Sequence, residues 1–251
     1  MLIKNLPSQE VNWLNIKDKP DVLGLFKNSS SVEVKGGVII LHDFDSNPNW
    51  PVIVQPLRNY LPRYRWATLS IFMPTYPEAE YPVQIDNLYK ETAGRITTGI
   101  NFLKDKNINP TVIIAQGRTA GMALKYAAEN ASNNTIQSMV LISAQDIKSI
   151  VTSEILATVP NNVLDIIAEN DWQEVHLSAK SRLNNANLAG KLKEPPPNLV
   201  KSQKVKSLIL NKTGNLRYRQ EIIAGASHSF DKQHDELLKT IRGWMEKYRN
   251  D

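Results

Sequence analysis

The stretch TVIIAQGRTAG, Thr111 to Gly121, decides how the rest of the chain is read. Thr111–Ala115 is a short, continuous apolar run, the pattern of a strand buried on both faces. From Thr119 to Asn130, Ala120, Ala123, Leu124 and Ala127 recur at helical spacing. Little more than Gln116, Gly117 and Arg118 lies between the two, so the strand must turn sharply into the helix. A turn this tight leaves room only for small side chains around its central position. Ala115 and Thr119 flank that position, and Gly117 occupies it.

Working outward, the same alternation recurs. Gly37–Leu41 and Trp66–Phe72 read as buried strands, separated by a helix over Trp50–Leu61 with Asn49 as a cap and Pro62 beyond its end. A helix over Asp86–Lys106 sets Ile96, Ile100 and Leu103 on one face. Beyond the opening stretch come a strand at Gln137–Ser143, a short helix at Asp146–Ala157 and a strand at Val163–Ile167. A helical stretch from Trp172 to about Ala189, a strand at Arg217–Ile223 and a helix at Lys232–Tyr248 follow. Strands alternating with helices predict a mostly parallel sheet of about eight strands, flanked by helices on both faces. Val11–Leu14 and Val22–Phe26 are expected to add antiparallel edge strands. The chain reads as one domain over 1–251, interrupted by an irregular insert at 190–215 that contains Pro195, Pro196 and Pro197.

The chain has 251 residues and is 41% hydrophobic, enough to bury a core and too apolar for a disordered polymer. It has no cysteine, which excludes a disulfide scaffold, a thiolate zinc site and a cysteine nucleophile. The net charge of +5 is unevenly placed. Lys191, Lys193, Lys201, Lys204, Lys206, Lys212, Arg217 and Arg219 face Glu194 alone, so this segment carries +7 and the remainder is slightly acidic. The segment reads as a solvated loop, with docking on an anionic partner as the functional alternative. Apart from Tyr218 it interleaves no aromatics, so nucleic acid is not expected. No apolar run reaches the length of a membrane span. MLIKNLPSQE, residues 1–10, lacks the apolar core of a leader. A periplasmic location is expected if a leader was removed, and a cytoplasmic one otherwise.

In parallel sheets the chemistry sits at the carboxyl ends of the strands. The turn around Gly117 has the strand–turn–helix context of the nucleophile elbow of α/β-hydrolases, but glycine has no atom with which to attack. The first parallel strand ends in His42-Asp43-Phe44, where such enzymes often carry a His-Gly segment that positions an oxyanion-hole N–H. Asp171 follows the strand at Val163–Ile167, where a triad acid belongs. His228 follows the last strand, where the triad histidine belongs. The order matches Ser…Asp…His, with the serine missing. Thr119, Ser143 and Ser227 lie off the elbow. His42, Asp43 and Asp45 do not have metal-ligand spacing and read as loop groups capping the following helix, so neither metal nor cofactor is expected. Arg118, at a helix N-terminus, is either an anion-binding group or the partner of an acid such as Asp171. Trp172, beside the acid, is expected to line the cleft with Phe44, His42 and Arg118.

These segments together resemble a bacterial α/β-hydrolase-like family, domain of unknown function 3530. The resemblance rests on GGVIILHDFDSNPNW (Gly36–Trp50), PLRNYLPRYRWATLSI (Pro56–Ile71), the altered elbow AQGRTAG (Ala115–Gly121), NVLDIIAEND (Asn162–Asp171) and NLRYRQEIIAGASHSF (Asn215–Phe230). It implies an α/β-hydrolase fold, often in exported proteins, with no assigned activity. With Gly117 at the elbow, the expected function is that of a catalytically inactive homologue acting as a binding or scaffold protein. Gly117, Asp171 and His228 would then be vestigial triad positions. The alternative is an active ester, amide or thioester hydrolase with a non-standard nucleophile. Restoring a serine at Gly117 is the sequence-level test.

Overall fold

The computed structural model describes residues 4, 6–77, 81–133, 135–188, 192–193, 208–210 and 218–248. Its elements are β1 (Val11–Leu14), β2 (Val22–Lys27), β3 (Gly36–Leu41), α1 (Val54–Tyr60), β4 (Trp66–Ile71), α2 (Pro82–Asp105), β5 (Thr111–Gln116) and α3 (Gly117–Glu129). They continue with β6 (Ile136–Ile142), α4 (Thr152–Leu156), β7 (Asn162–Asn170), α5 (Gln173–Leu188), β8 (Leu192–Lys193), β9 (Leu208–Leu210), β10 (Tyr218–Ser227) and α6 (His234–Lys247).

All ten strands form one sheet in the order β1-β2-β4-β3-β5-β6-β7-β10-β9-β8. From β4 through β3, β5, β6 and β7 to β10 every pairing is parallel. β1 and β2 add antiparallel at one edge, as their alternation predicts. The expected eight strands are present. Two short antiparallel strands, β8 and β9, extend the opposite edge from within the segment read as irregular. Lys191, Lys201, Lys204, Lys206, Lys212 and Arg217 lie outside the described residues, as does the side chain of Lys193, and so does the docking role read for that segment.

Successive residues of a strand point to opposite faces, and the parallel strands bury both. Ile39, Leu41, Ile113, Ala115, Met139 and Leu141 face α2 and α3. Val38, Ile40, Val112, Ile114, Val140, Ile142, Leu164 and Ile166 face α1 and α6. On α2, a Cβ at Gly99 would come within 2.5 Å of Ile71 Cδ1, so glycine sets how closely that helix approaches the sheet.

Three helix starts depart from the sequence reading. α1 begins at Val54 rather than Trp50, and Asn49 accepts a bond from Arg58 instead of capping it. α2 begins at Pro82 rather than Asp86, because proline is well placed at the first helical position. α4 begins at Thr152 rather than Asp146, because the Asp146 carboxylate accepts the Thr152 N–H at 2.8 Å and caps the helix from outside.

A fully buried ion pair fixes α5 to the sheet. Arg182 on α5 grips Asp165 on β7 with two bonds of 2.8 and 3.0 Å. Tyr218 and Gln220 on β10 also donate to Asp165. The same guanidinium reaches the Ala144 carbonyl at 3.3 Å, just past the end of β6. Burial opposes the charge on Arg182, but Asp165 outweighs it and holds the guanidinium firmly protonated.

Candidate functional site

At the carboxyl ends of β3 and β5 the chain builds a turn around Gly117. Its φ of +58° is in the left-handed region, where glycine is at ease and other residues are strained. The space in front of it is full. A Cβ built there would fall onto the carboxyl group of Asp43, with Oδ1 2.9 Å away and Cγ and Oδ2 closer still.

Asp43 belongs to the loop after β3, and its Oδ1 accepts two backbone N–H bonds. One comes from Phe44 at 2.9 Å and the other from Arg118, in the first turn of α3, at 3.1 Å. Two N–H groups converging on one oxygen beside the elbow are the arrangement of an oxyanion hole. Here the oxygen is supplied by the chain itself. Burial pushes the Asp43 carboxyl above the ordinary range, against the opposing pull of the Arg118 charge and the two N–H groups. The loop groups therefore cap α3, across the sheet, rather than the helix that follows them.

Arg118 closes the cluster from above. Its guanidinium bonds to Asp45, lies 3.8 Å from Asp43 Oδ1 through Nε, and rests 4.0 Å over the Tyr76 ring. Tyr76 in turn packs against Phe44 at 5.4 Å between ring centres. The acids paired with Arg118 are thus Asp45 and Asp43, not Asp171, and the anion at this helix N-terminus is internal. Phe44 is buried and contributes its N–H rather than an open aromatic face.

His42 is also not a ligand contact. It is completely buried, its Nδ1 lies 2.6 Å from the Asp43 carbonyl, and its Nε2 accepts the Met73 N–H at 2.9 Å. Those partners assign the proton to Nδ1. Burial lowers its pKa to about 4, so the ring is neutral. Thr119, set aside as an alternative nucleophile, is buried and donates to the His42 carbonyl at 2.9 Å.

The other half of the site is assembled as a triad requires. Asp171 Oδ1 lies 2.6 Å from His228 Nδ1 and accepts the Trp172 N–H at 2.9 Å. Its Oδ2 accepts Ser143 Oγ at 2.5 Å and the Ala168 N–H at 3.2 Å. Burial disfavours the charge, but the bonds from His228 and Ser143 outweigh it and hold Asp171 below the ordinary carboxylate range. The Trp172 indole stacks on the imidazole, 3.6 Å between centres and 14° from parallel, with half of its own surface exposed. Ser143, at a φ of +47°, is a member of this cluster that the sequence did not reveal as one. Its only signal was its place at the end of a neighbouring strand. Ser227 is spent on Ser229 and Asp231. Among the described residues no group of three or more His, Asp or Glu is placed to hold a metal ion.

Sheet order, elbow after β5, acid after β7 and histidine after β10 define an α/β-hydrolase fold. Solved structures of that fold align over nearly the whole chain. A dienelactone hydrolase from Anabaena variabilis shares 17% identity at a TM-score of 0.67, covering 96% of this chain and 97% of its own. Est1E from Butyrivibrio proteoclasticus gives 10% and 0.69, covering 95% and 98%. A cold-adapted esterase from an Arctic intertidal metagenomic library gives 11% and 0.70, covering 98% of each. Identities this low establish the shared fold and nothing of the chemistry. The model of the family described as protein of unknown function DUF3530 matches residues 1–88. The resemblance drawn from Gly36–Trp50 and Pro56–Ile71 therefore holds over that part, and the segments from Ala115 onward lie beyond the match. No curated protein matches the sequence. Among the described residues no helix is long and apolar enough to cross a membrane.

Proposed function

We propose that this protein is an inert member of the α/β-hydrolase fold that works by binding, as a scaffold or receptor. One observation carries the reading. The Asp43 carboxylate accepts both N–H groups of the oxyanion hole and fills the volume in front of Gly117. A serine hydrolase needs that volume for its attacking oxygen and those N–H groups for the charge that develops on the substrate. Here neither is free, although His228 and Asp171 remain paired.

A second reading keeps the non-standard nucleophile and assigns it to Asp43. A carboxylate with one oxygen in the oxyanion hole has the other available to attack a saturated carbon. Attack on a terminal epoxide would form an ester at Asp43 and break a ring C–O bond, giving an alkoxide that takes a proton from water. A second water, deprotonated by His228, would then add to the ester carbonyl carbon, break its C–O bond to the substrate and expel the diol, which takes the proton back from His228 and leaves the Asp43 carboxyl free.

One set of assays separates the readings. The purified chain is incubated with a fluorophosphonate probe, p-nitrophenyl esters and a terminal epoxide, and examined by intact mass and turnover. The inert reading expects no adduct and no turnover above the buffer rate. Fluorophosphonate labelling that disappears in His228→Ala would overturn it, and an epoxide adduct on Asp43 would replace it with the second reading.

A further inference from the structure

Ser143 combines features that a residue just past a strand end does not need. Its φ of +47° lies in the left-handed region, where a residue with a Cβ is strained and glycine is at ease. It is completely buried, and its N–H is pinned to the Ile166 carbonyl at 2.8 Å. Its hydroxyl donates to Asp171 Oδ2 at 2.5 Å. Backbone strain held in place around one polar contact directs attention to what that contact does.

The contact completes a set. The Asp171 side chain is wholly buried and accepts four donors, two at each oxygen. His228 Nδ1 and the Trp172 N–H take Oδ1, and Ser143 Oγ and the Ala168 N–H take Oδ2. An ionised carboxylate has about four acceptor positions, so this one is full. It cannot turn or take a proton without losing a bond. Ser143 is the one of these donors that comes from the end of β6, outside the two strands that carry the pair.

The imidazole is held as firmly. Trp172 covers one face of the ring. The strand that carries it, β10, shifts register between Ile223 and Ser227, with Gly225 at a φ of +71° and its N–H on Glu169 at 2.8 Å. His228 Nε2 has no partner among the described residues, and the side chain is 20% exposed. Which ring nitrogen carries the proton is set by the bond that the other makes.

We propose that Ser143 is a positioning residue for His228: by filling the last acceptor position of Asp171 it locks the imidazole proton on Nδ1 and presents Nε2 to the open side as a hydrogen-bond acceptor. Without the hydroxyl, Oδ2 keeps one donor, the carboxylate is free to turn, and the ring can carry its proton on Nε2. The group offered to a bound molecule then changes from acceptor to donor. Both readings of the previous subsection leave the pair intact, so this inference stands or falls apart from them.

The test is nuclear magnetic resonance of the full chain, isotopically labelled at the histidine nitrogens and the aspartate carboxyl carbons. Spectra are taken at about pH 8, where an ordinary imidazole is neutral, and the signals are assigned with His228→Ala and Asp171→Asn. In the wild type, His228 is expected to be protonated on Nδ1 and not on Nε2. Ser143→Ala removes the hydroxyl and keeps the strained backbone, whereas Ser143→Gly removes both, so the glycine variant decides the matter if the alanine variant fails to fold. Each folded variant should shift the tautomer ratio toward Nε2–H by about tenfold or more, and raise the Asp171 titration midpoint by about one pH unit. A serine that only shapes the chain would leave both readouts unchanged. A proton on Nε2 in the wild type would overturn the proposal, as would a wild-type tautomer ratio or a wild-type Asp171 midpoint in a variant that keeps the native circular dichroism spectrum.

Discussion

The two halves of the site differ in what they have kept. Where β7 and β10 end, Asp171 and His228 stand at hydrogen-bond distance, with the Ser143 hydroxyl and the backbone N–H groups of Ala168 and Trp172 holding the acid. Where β3 and β5 end, a glycine stands at the elbow and the Asp43 carboxylate accepts the two N–H groups beside it. The first half keeps its geometry because its bonds are also structural: they tie three strand ends together. In the second half, the Phe44 and Arg118 N–H groups are part-buried, and Asp43 satisfies both. Under the inert reading, one side of the site keeps a triad's geometry while the other is closed by the chain itself.

The largest test of this contrast rebuilds the altered half. Gly117→Ser alone should stay unreactive, because its Cβ would meet Asp43. Asp43→Gly with Gly117→Ser should gain fluorophosphonate labelling, and p-nitrophenyl ester turnover about 10³-fold above wild type or more. If the single Gly117→Ser variant is already as reactive, Asp43 is not the obstruction.

The next test probes the preserved half in that background. Asp171→Asn should return the restored turnover to about the wild-type level, a loss of about 10³-fold, since it takes away the group that fixes the imidazole tautomer. An unchanged rate would mean that the His228–Asp171 contact is only structural.

A third variant reaches beneath that half. Arg182→Met strips the buried Asp165 of its partner and should cost about 3–5 kcal/mol in chemical denaturation. Asp165→Leu added to it should recover most of the loss. Because Arg182 also holds the Ala144 carbonyl next to Ser143, the spectroscopic signals of Trp172 and His228 should move in the single variant.

The smallest expected effect distinguishes the halves by pH. His42, beneath the filled hole, has a folded pKa of about 4 against 6.5 unfolded. Its contribution is fully present above 6.5 and is lost as pH falls through 4, because the unfolded chain takes up the proton first. Stability should decline across that window by up to about 3 kcal/mol. His42→Asn should be less stable at pH 7 and show a flatter profile over the same range. Asp171, held low, contributes stability that is fully present above about 3.8, the ordinary carboxyl value, and is lost only below it, outside the His42 window. An equally steep slope in His42→Asn would place the acid sensitivity elsewhere.

Much of the fold was legible because parallel strands buried on both faces announce themselves as apolar runs, and Gly37–Leu41, Thr111–Ala115 and Val163–Ile167 all fall inside observed strands. Gly117 was legible for the same reason: the strand before it and the helix after it fix its position. The occupant of the hole was not. Asp43 meets Arg118 across 75 residues of chain, and nothing in HDFD distinguishes a loop acid facing solvent from one turned into a neighbouring helix. Arg118 was read as either an anion-binding group or the partner of an acid such as Asp171, whereas Asp45 and Asp43 are the acids beside it. Arg182 was invisible because an arginine within a polar helix reads as surface, and only the fold shows that it meets Asp165 in the core.

Asp43 and Gly117 are also mutually dependent. Under the inert reading, a serine at position 117 would meet the aspartate, and removing the aspartate alone would uncover two N–H groups without supplying an attacking atom. Only a double substitution would provide both the atom and the space for it, so neither position can be explored by single changes taken one at a time.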